Sequence, residues 1–480
     1  MTKNSPSTQT KISKVEVTND KISGRGGLFF FLRYVENIRF YTLIANRFAF
    51  LKTSGKGLTL YQFIKQLLAY FIDGSEMSMT SFDRRQHDQG YTAVLENRSE
   101  EMASSHQMKR FFRKFLPITN WLYRQILLSL FIWRLLKEKP ATIILFGDSM
   151  VLDNDDAEKR EGVEPTYKKK KGFQPLQISW GPYVADALFR KGSEHCNHGN
   201  DFVKAIGRLV KAIRRFYSPE VPIIVNTDSG FLDDANFGFF EERLKIFYIC
   251  GGKQYEDIKT YLEACPPTAF QTFSKNQQSR QYIEFGNRLK SWSTFRRCLF
   301  TTLQSEENGQ LNLAFAQTDS VIYTNLGQDP QLTEQLIKAG GEEYLKSEKI
   351  IELDHQRGKG ELTHRSLKEF ATKEQLPFER MGMNRAYYYF LVISHFLYEA
   401  YKRDVGGEII PLTCYPNTFR RQFIDFAVKV ISTGGKIILK VVASVYDQLK
   451  IAELWQRTGS PQPIFDTSDL LNILFSGRPI

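Results

Sequence analysis

Two short apolar runs, Ala141–Phe146 (ATIILF) and Pro222–Val225 (PIIV), each lead within three residues to an aspartate, Asp148 and Asp228. Neither run alternates apolar with polar residues, so a strand built from either has both faces buried, as in the centre of a helix-covered sheet. The surrounding sequence agrees. Leu176–Trp180 and Val184–Phe189 read as strands, and residues 200–217 place Phe202, Val203, Ile206, Leu209, Val210 and Ile213 at helical spacing with Lys and Arg opposite. A helix near 233–244 and a last strand, Ile246–Cys250, complete the series. Three strands, a helix, a strand, a helix and a strand make an α/β sheet.

Outside this unit the periodicity changes. Residues 1–27 lack apolar periodicity and read as a flexible basic tail. From Leu28 to Lys137 apolar residues recur at three- and four-residue spacing, which predicts an all-helical region. Within it, Ala103–Lys114 reads as a Ser-capped helix with one basic face carrying Lys109, Arg110 and Arg113, a shape suited to reading DNA from a helix-turn-helix. The bland alternative is a surface helix with solvated charges. From 261 to 340 the pattern shortens to β-like alternation (Ala269–Phe273, Cys298–Leu303, Leu311–Ala316, Ser320–Thr324), which predicts a β-rich insertion. Helical spacing returns in 341–405, and 406–480 mixes the strand-like Lys436–Val442 with short helices. The α/β core therefore spans 138–260 and 341–405, interrupted by the insertion, preceded by 28–137 and followed by a small mixed C-terminal region.

Composition narrows the partners. The 480 residues hold 65 Lys plus Arg against 53 Asp plus Glu, a formal charge of +12, which favours polyanions such as nucleic acid. Five scattered Cys with no C-x-x-C pair exclude a zinc ribbon and a disulfide framework, as expected of a cytoplasmic protein. His195-Cys196-x-His198 has no second Cys/His pair nearby to complete four zinc ligands. The most lipid-like run, Gln125–Trp133, is bounded by Arg124 and Arg134 and falls short of the ~20 residues a membrane span needs.

Asp148 and Asp228 both sit at strand ends, the edge at which open α/β sheets place their crevice. A lone acid there is usually a turn or cap residue, but two in one unit point to a shared site. A third acid lies in Asp354–Lys368 (DHQRGKGELTHRSLK). At 100° per residue Arg357 lies 40° from Glu361 and Lys368 lies 20° to its other side, so one helix face carries a carboxylate between two cations. Surface ion pairing is the plain reading; a metal-holding Glu with cations set for phosphates is the functional one. Gly358 and Gly360 favour the latter, since each weakens a helix by ~1 kcal/mol relative to Ala. Asp153, Asp155 and Asp156 crowd behind Asp148, but only Asp148 follows directly on the unbroken strand.

This ordered set resembles the DDE transposases of bacterial insertion sequences, in the branch with a Y-x2-R-x3-E-x6-K signature. Arg357, Glu361 and Lys368 match its R, E and K, while Asp354 stands at the Tyr position. Asp148 in FGDSM and Asp228 in NTDSGF resemble its first two acids. TYKKKKGFQPLQ (Thr166–Gln177), ASSHQMKRF (Ala103–Phe111) and MNRAYYYFLVISHFL (Met383–Leu397) are similar to other family segments, and the resemblance spans about residues 25–450. It implies a ribonuclease-H-like mixed sheet whose Asp148, Asp228 and Glu361 hold two Mg²⁺ ions, with Mn²⁺ as a substitute, Asp148 bridging and the other two holding one ion each. Cleavage and strand transfer of double-stranded DNA at terminal inverted repeats, insertion into target DNA, a homodimer on two DNA ends, and a cytoplasmic, nucleoid-associated location follow from the same resemblance. Arg357, Lys368 and the Lys168, Lys169, Lys170 and Lys171 run would contact DNA. Two rivals stay open: a non-catalytic DNA-binding regulator using the basic helical region, and a GDS-type serine esterase with Ser149 as nucleophile.

Overall fold

The structure, a computed structural model, describes residues 12, 14–52, 54–116, 119–195, 197–275, 278–306, 319–356, 358–371 and 374–464. Among these residues a nine-stranded sheet forms the centre of the molecule. Its strands in chain order are β1 (Ile143–Ser149), β2 (Leu176–Trp180), β3 (Tyr183–Leu188), β4 (Ile223–Thr227), β5 (Phe247–Gly251), β6 (Gln271–Lys275), β7 (Gln278–Asn287), β8 (Arg296–Glu306) and β9 (Ser320–Thr324). Across the sheet they run β6-β7-β8-β9-β5-β4-β1-β2-β3. The pairs β1–β4 and β4–β5 are parallel, and every other neighbour is antiparallel. The two uninterrupted apolar runs thus become adjacent central strands, as their two-sided burial requires. The β-like segment after 261 forms no separate layer. Its strands continue the sheet outward from β5, because β9 pairs antiparallel with β5 and supplies the edge on which β8, β7 and β6 build. Leu311–Ala316 lies outside the described residues.

The helices that build the core and wall the sheet's carboxyl edge are α1 (Gly27–Asn37), α2 (Leu60–Asp73), α3 (Ser105–Phe112), α4 (Asn120–Glu138), α5 (Asp201–Phe216), α6 (Ser347–His355), α7 (Gly358–Ala371) and α8 (Met381–Tyr401). Every residue of α8 from Ala386 to Tyr401 is buried, which explains why MNRAYYYFLVISHFL shows no polar face. Around it the N-terminal helices and the sheet share one apolar core. Tyr123 of α4 stacks on Tyr389 at 4.8 Å, and Phe112 of α3 lies against Phe390. Among the described residues no helix is long and apolar enough to cross a membrane. Lys21–Ser23, inside the segment read as a tail, forms a short strand paired with Val428–Thr433, which in turn pairs with Lys436–Val441. A three-residue strand carries too little pattern to stand out in sequence. The helix expected near 233–244 is a short α-turn, Asp234–Gly238, followed by a wider π-type turn, Phe239–Leu244.

A buried ion cluster pins helices to this sheet. Asp186 of β3 has no exposed surface and accepts two hydrogen bonds from Arg124 of α4, at 2.9 and 2.7 Å, while Arg208 of α5 lies 2.9 Å away. The two guanidiniums hold the carboxyl below its usual pKa against the opposing effect of burial. Removing one partner strands the others in a low-dielectric interior. Asp186→Asn should therefore cost about 3–5 kcal/mol of stability, read as a lowered urea midpoint with the sheet's circular dichroism otherwise preserved.

Candidate active site

The register of the central parallel pair builds one side of the site. Ile143 pairs with Ile223 and the alignment runs without a break to Gly147 opposite Thr227, so the next positions are Asp148 and Asp228. Neighbouring strands lie ~4.8 Å apart, which sets the two acids side by side at the carboxyl edge. Gly147 is required there: a Cβ would stand 2.5 Å from the ring of Phe202, through which α5 packs on the strand. Asp148 Oδ1 accepts from the Ser149 backbone N–H at 2.6 Å. Asp228 caps the turn at Ser229–Phe231, its Oδ1 accepting from Gly230 N–H at 2.9 Å. The cap role weighed for such acids is thus present at Asp228, on a carboxylate that also faces an open cleft.

That cleft has a volume of about 700 Å³, and Asp148, Asp228, Tyr167, Lys168, His364 and Lys368 are among its lining residues. Its far wall is α7. Thr363 Oγ1 donates to Gly181 O in the β2–β3 turn at 3.1 Å, and Ser366 Oγ lies 2.9 Å from His395 Nε2 in α8, which fixes the helix face. Lys368 projects into the cleft and bonds Glu374 Oε2 at 2.8 Å. Glu361 lies on α7 one turn before His364 and two turns before Lys368, and its side chain is outside the described residues. Arg357 is outside them altogether. The single helix expected across 354–368 is divided: α6 ends at His355 and α7 starts at Gly358. Gly358 opens α7 and Gly360 lies within its first turn.

His364 escapes the sequence reading, yet its Nδ1 lies 3.4 Å from Asp148 Oδ2. Burial, with Lys368 and Lys168 nearby, pulls its pKa down to about 4, so the ring is neutral at pH 7. Its position three residues after Glu361, on the same helix face, was the available signal. The Lys168–Lys171 run divides. Lys168 lines the cleft, whereas Lys170 pairs with Asp155 at 3.0 Å and Asp153 at 3.5 Å, and Lys171 pairs with Glu158. The acids behind Asp148 therefore serve as counterions for the lysine loop. Lys169 is exposed, with the left-handed backbone of a turn. Ser149 is 3% exposed and its Oγ accepts from Arg190 Nη2 at 3.0 Å, so the hydroxyl is buried against a cation rather than a base. On α3, Lys109, Arg110 and Arg113, at its C-cap, are exposed while Met108, Phe111 and Phe112 pack inward. Among the described residues no three His, Cys, Asp or Glu side chains are grouped to hold a metal ion; the carboxylates that line the cleft are Asp148, Asp228, Glu369 and Glu374.

The seat of α7 on α8 carries its own pH signature. His395 is fully buried, and its pKa is pulled down to about 3 by burial and by Lys402 and Arg420. Between that value and the ordinary 6.5, the unfolded chain binds a proton that the folded chain refuses, so this contribution to stability falls as pH drops below 6.5. His395→Gln should flatten this part of the profile, and the native chain should lose about 2 kcal/mol more than the variant between pH 6.5 and pH 5 in urea unfolding.

A family model described as transposase DDE domain group 1 matches residues 5–459. Among solved structures, a piggyBac transposase in a synaptic complex with hairpin DNA, determined by cryo-EM, is similar at 12% sequence identity. That match covers 94% of this chain and 85% of the other, with a TM-score of 0.41. No curated protein sequence matches the chain.

Proposed function

The chain belongs to the family of transposases with a group 1 DDE domain, and we propose that its cleft cuts and rejoins double-stranded DNA at the terminal inverted repeats of an insertion sequence. The observation that carries this reading is the side-by-side placement of Asp148 and Asp228 at the ends of two parallel strands, facing a cleft walled by the helix that bears Glu361. The strand order β3-β2-β1-β4-β5, with β1–β4 and β4–β5 parallel, supports a ribonuclease-H-like core.

Carboxylate oxygens suit hard divalent cations, and the donor set fits Mg²⁺, with Mn²⁺ able to replace it. Asp148 and Asp228 would hold the metal together with Glu361, which the helical spacing sets one turn from His364. When bound, two such ions supply a nucleophile at neutral pH and stabilise the departing oxygen. Around them the protein's own groups orient DNA. Lys168 offers a cation where backbone phosphates would lie, with Arg357 as a further candidate and Lys368 available where a phosphate displaces its partner Glu374. Neutral His364 abuts Asp148 without adding charge. Lys169 extends the basic loop outward, while Lys170 and Lys171 are largely neutralised by their acidic partners. The helical region 28–137 would read the element's ends through the exposed face of α3, and a homodimer would bring two ends together in the cytoplasm. The buried, Arg190-bound Ser149 speaks against the esterase alternative.

Asp148→Asn and Asp228→Asn should each lower Mg²⁺-dependent cleavage of a duplex carrying the element's end by at least ~10³-fold while leaving its binding intact. Cleavage retained in Asp228→Asn would leave the non-catalytic regulator as the better reading. Binding itself should weaken steeply with salt, and Lys109→Ala/Arg110→Ala/Arg113→Ala should reduce the slope of log affinity against log salt by about one per lost phosphate contact.

A further inference from the structure

The last turn of α7 ends at a buried cation. Arg420 is 5% exposed, and its guanidinium donates to five acceptors. Nε bonds Ile72 O at 3.0 Å, and one N–H of Nη2 bonds Phe71 O at 2.9 Å, both in the last turn of α2. The other N–H of Nη2 bonds Phe370 O at 2.7 Å and Nη1 bonds Glu369 O at 3.3 Å, both in the last turn of α7. Nη1 also bonds Asn417 Oδ1 at 3.3 Å. A guanidinium has five N–H groups, so every donor is used. The carbonyls it meets are those a helix leaves unpaired at its C-terminus, where the partial negative charge of the macrodipole collects. One cation thus closes two helix ends at once.

The fit is tight on all sides. Gly74, the left-handed residue that ends α2, could not carry a Cβ, which would stand 2.2 Å from Arg420 Cζ. The Phe370 ring lies 5.2 Å from the guanidinium carbon. Asn417 N–H also donates to Glu369 Oε1 at 2.9 Å, so the same loop grips α7 twice. Lys could not replace this array, because an ammonium has three donors at a single point.

We propose that Arg420 is a positioning residue for the cleft: by locking the C-terminal turn of α7 to α2, it sets the depth and tilt of the α7 backbone, and so of the helix turn that holds position 361, relative to the strand ends at Asp148 and Asp228. Glu361 stands nine residues before Phe370, or ~13 Å along the axis, so a small tilt at the lock becomes an ångström-scale shift at the acid. Two further ties of α7, Thr363 to Gly181 and Ser366 to His395, lie between these two points and serve as the pivot. This role for Arg420 rests on the reading of Glu361 as the third carboxylate.

The test uses the full chain with Arg420→Lys. Without metal, hydrogen–deuterium exchange of peptides covering 362–371 and 68–73 should quicken about tenfold, while those covering β1 and β4 keep the native rate. Mn²⁺ titration followed by electron paramagnetic resonance should show an affinity about tenfold weaker than native. A merely structural role would quicken exchange and leave the Mn²⁺ affinity unchanged, and that result overturns the inference. Unchanged exchange overturns it as well. If Arg420→Lys does not fold, Asn417→Ala removes one of the five acceptors and should weaken Mn²⁺ binding about twofold; native affinity in that variant is again an overturning result. A native chain that binds no Mn²⁺ removes the reading of the cleft and this inference with it, whereas native binding with unaltered variant affinity removes the inference alone.

Discussion

The parallel pairing of β1 with β4 is the constraint on which the cleft depends. Its register runs to Gly147 opposite Thr227 and so brings the backbones of Asp148 and Asp228 to the same end of two neighbouring strands. The pairing holds because each strand is apolar on both faces and is covered by helices. Gly147 lets Phe202 of α5 approach the backbone so closely that the strand end cannot shift without unpacking the helix. The position of two acids is thus a property of the core.

Two carboxylates that line one cleft make a site suited to a cation. The surroundings answer with positive charge at moderate distance. Lys168 reaches in from the loop after β1, and Lys368 from α7, while the ring closest to Asp148 is a neutral histidine. The loop that carries Lys168 spends its other charges internally on Asp155 and Glu158. A chain with a surplus of twelve positive charges therefore spends part of a basic run on internal ion pairs.

The strand-end acids were legible because they follow apolar runs that admit one interpretation. Lys368 lines the cleft from α7. The single helix expected across 354–368 is instead two, α6 and α7, because counting residues at 100° each assumes continuity. The strands after 261 were visible by alternation, but their union with the main sheet was not, since pairing partners leave no mark in a local pattern. His364 carries no motif of its own and is marked only by its place one turn after Glu361. Arg420 lay beyond any local signal, because four of its five partners are backbone oxygens from two distant segments. The lysine run misled for a related reason: its counterions, Asp153, Asp155 and Glu158, are near in sequence, where acids crowding behind Asp148 look like its rivals and not like partners of a neighbouring loop.

The order in which these parts leave the ribosome matters. The helices of 28–137 emerge first, then β1 and β4, then the outer strands, then α7, and only afterwards the arginine that closes α7 against α2. Contacts between such distant segments form late, after long loops have closed. A nascent chain passes through a stage in which the N-terminal helices can form while α7 has no anchor, so the cleft cannot be completed before Arg420 has been made.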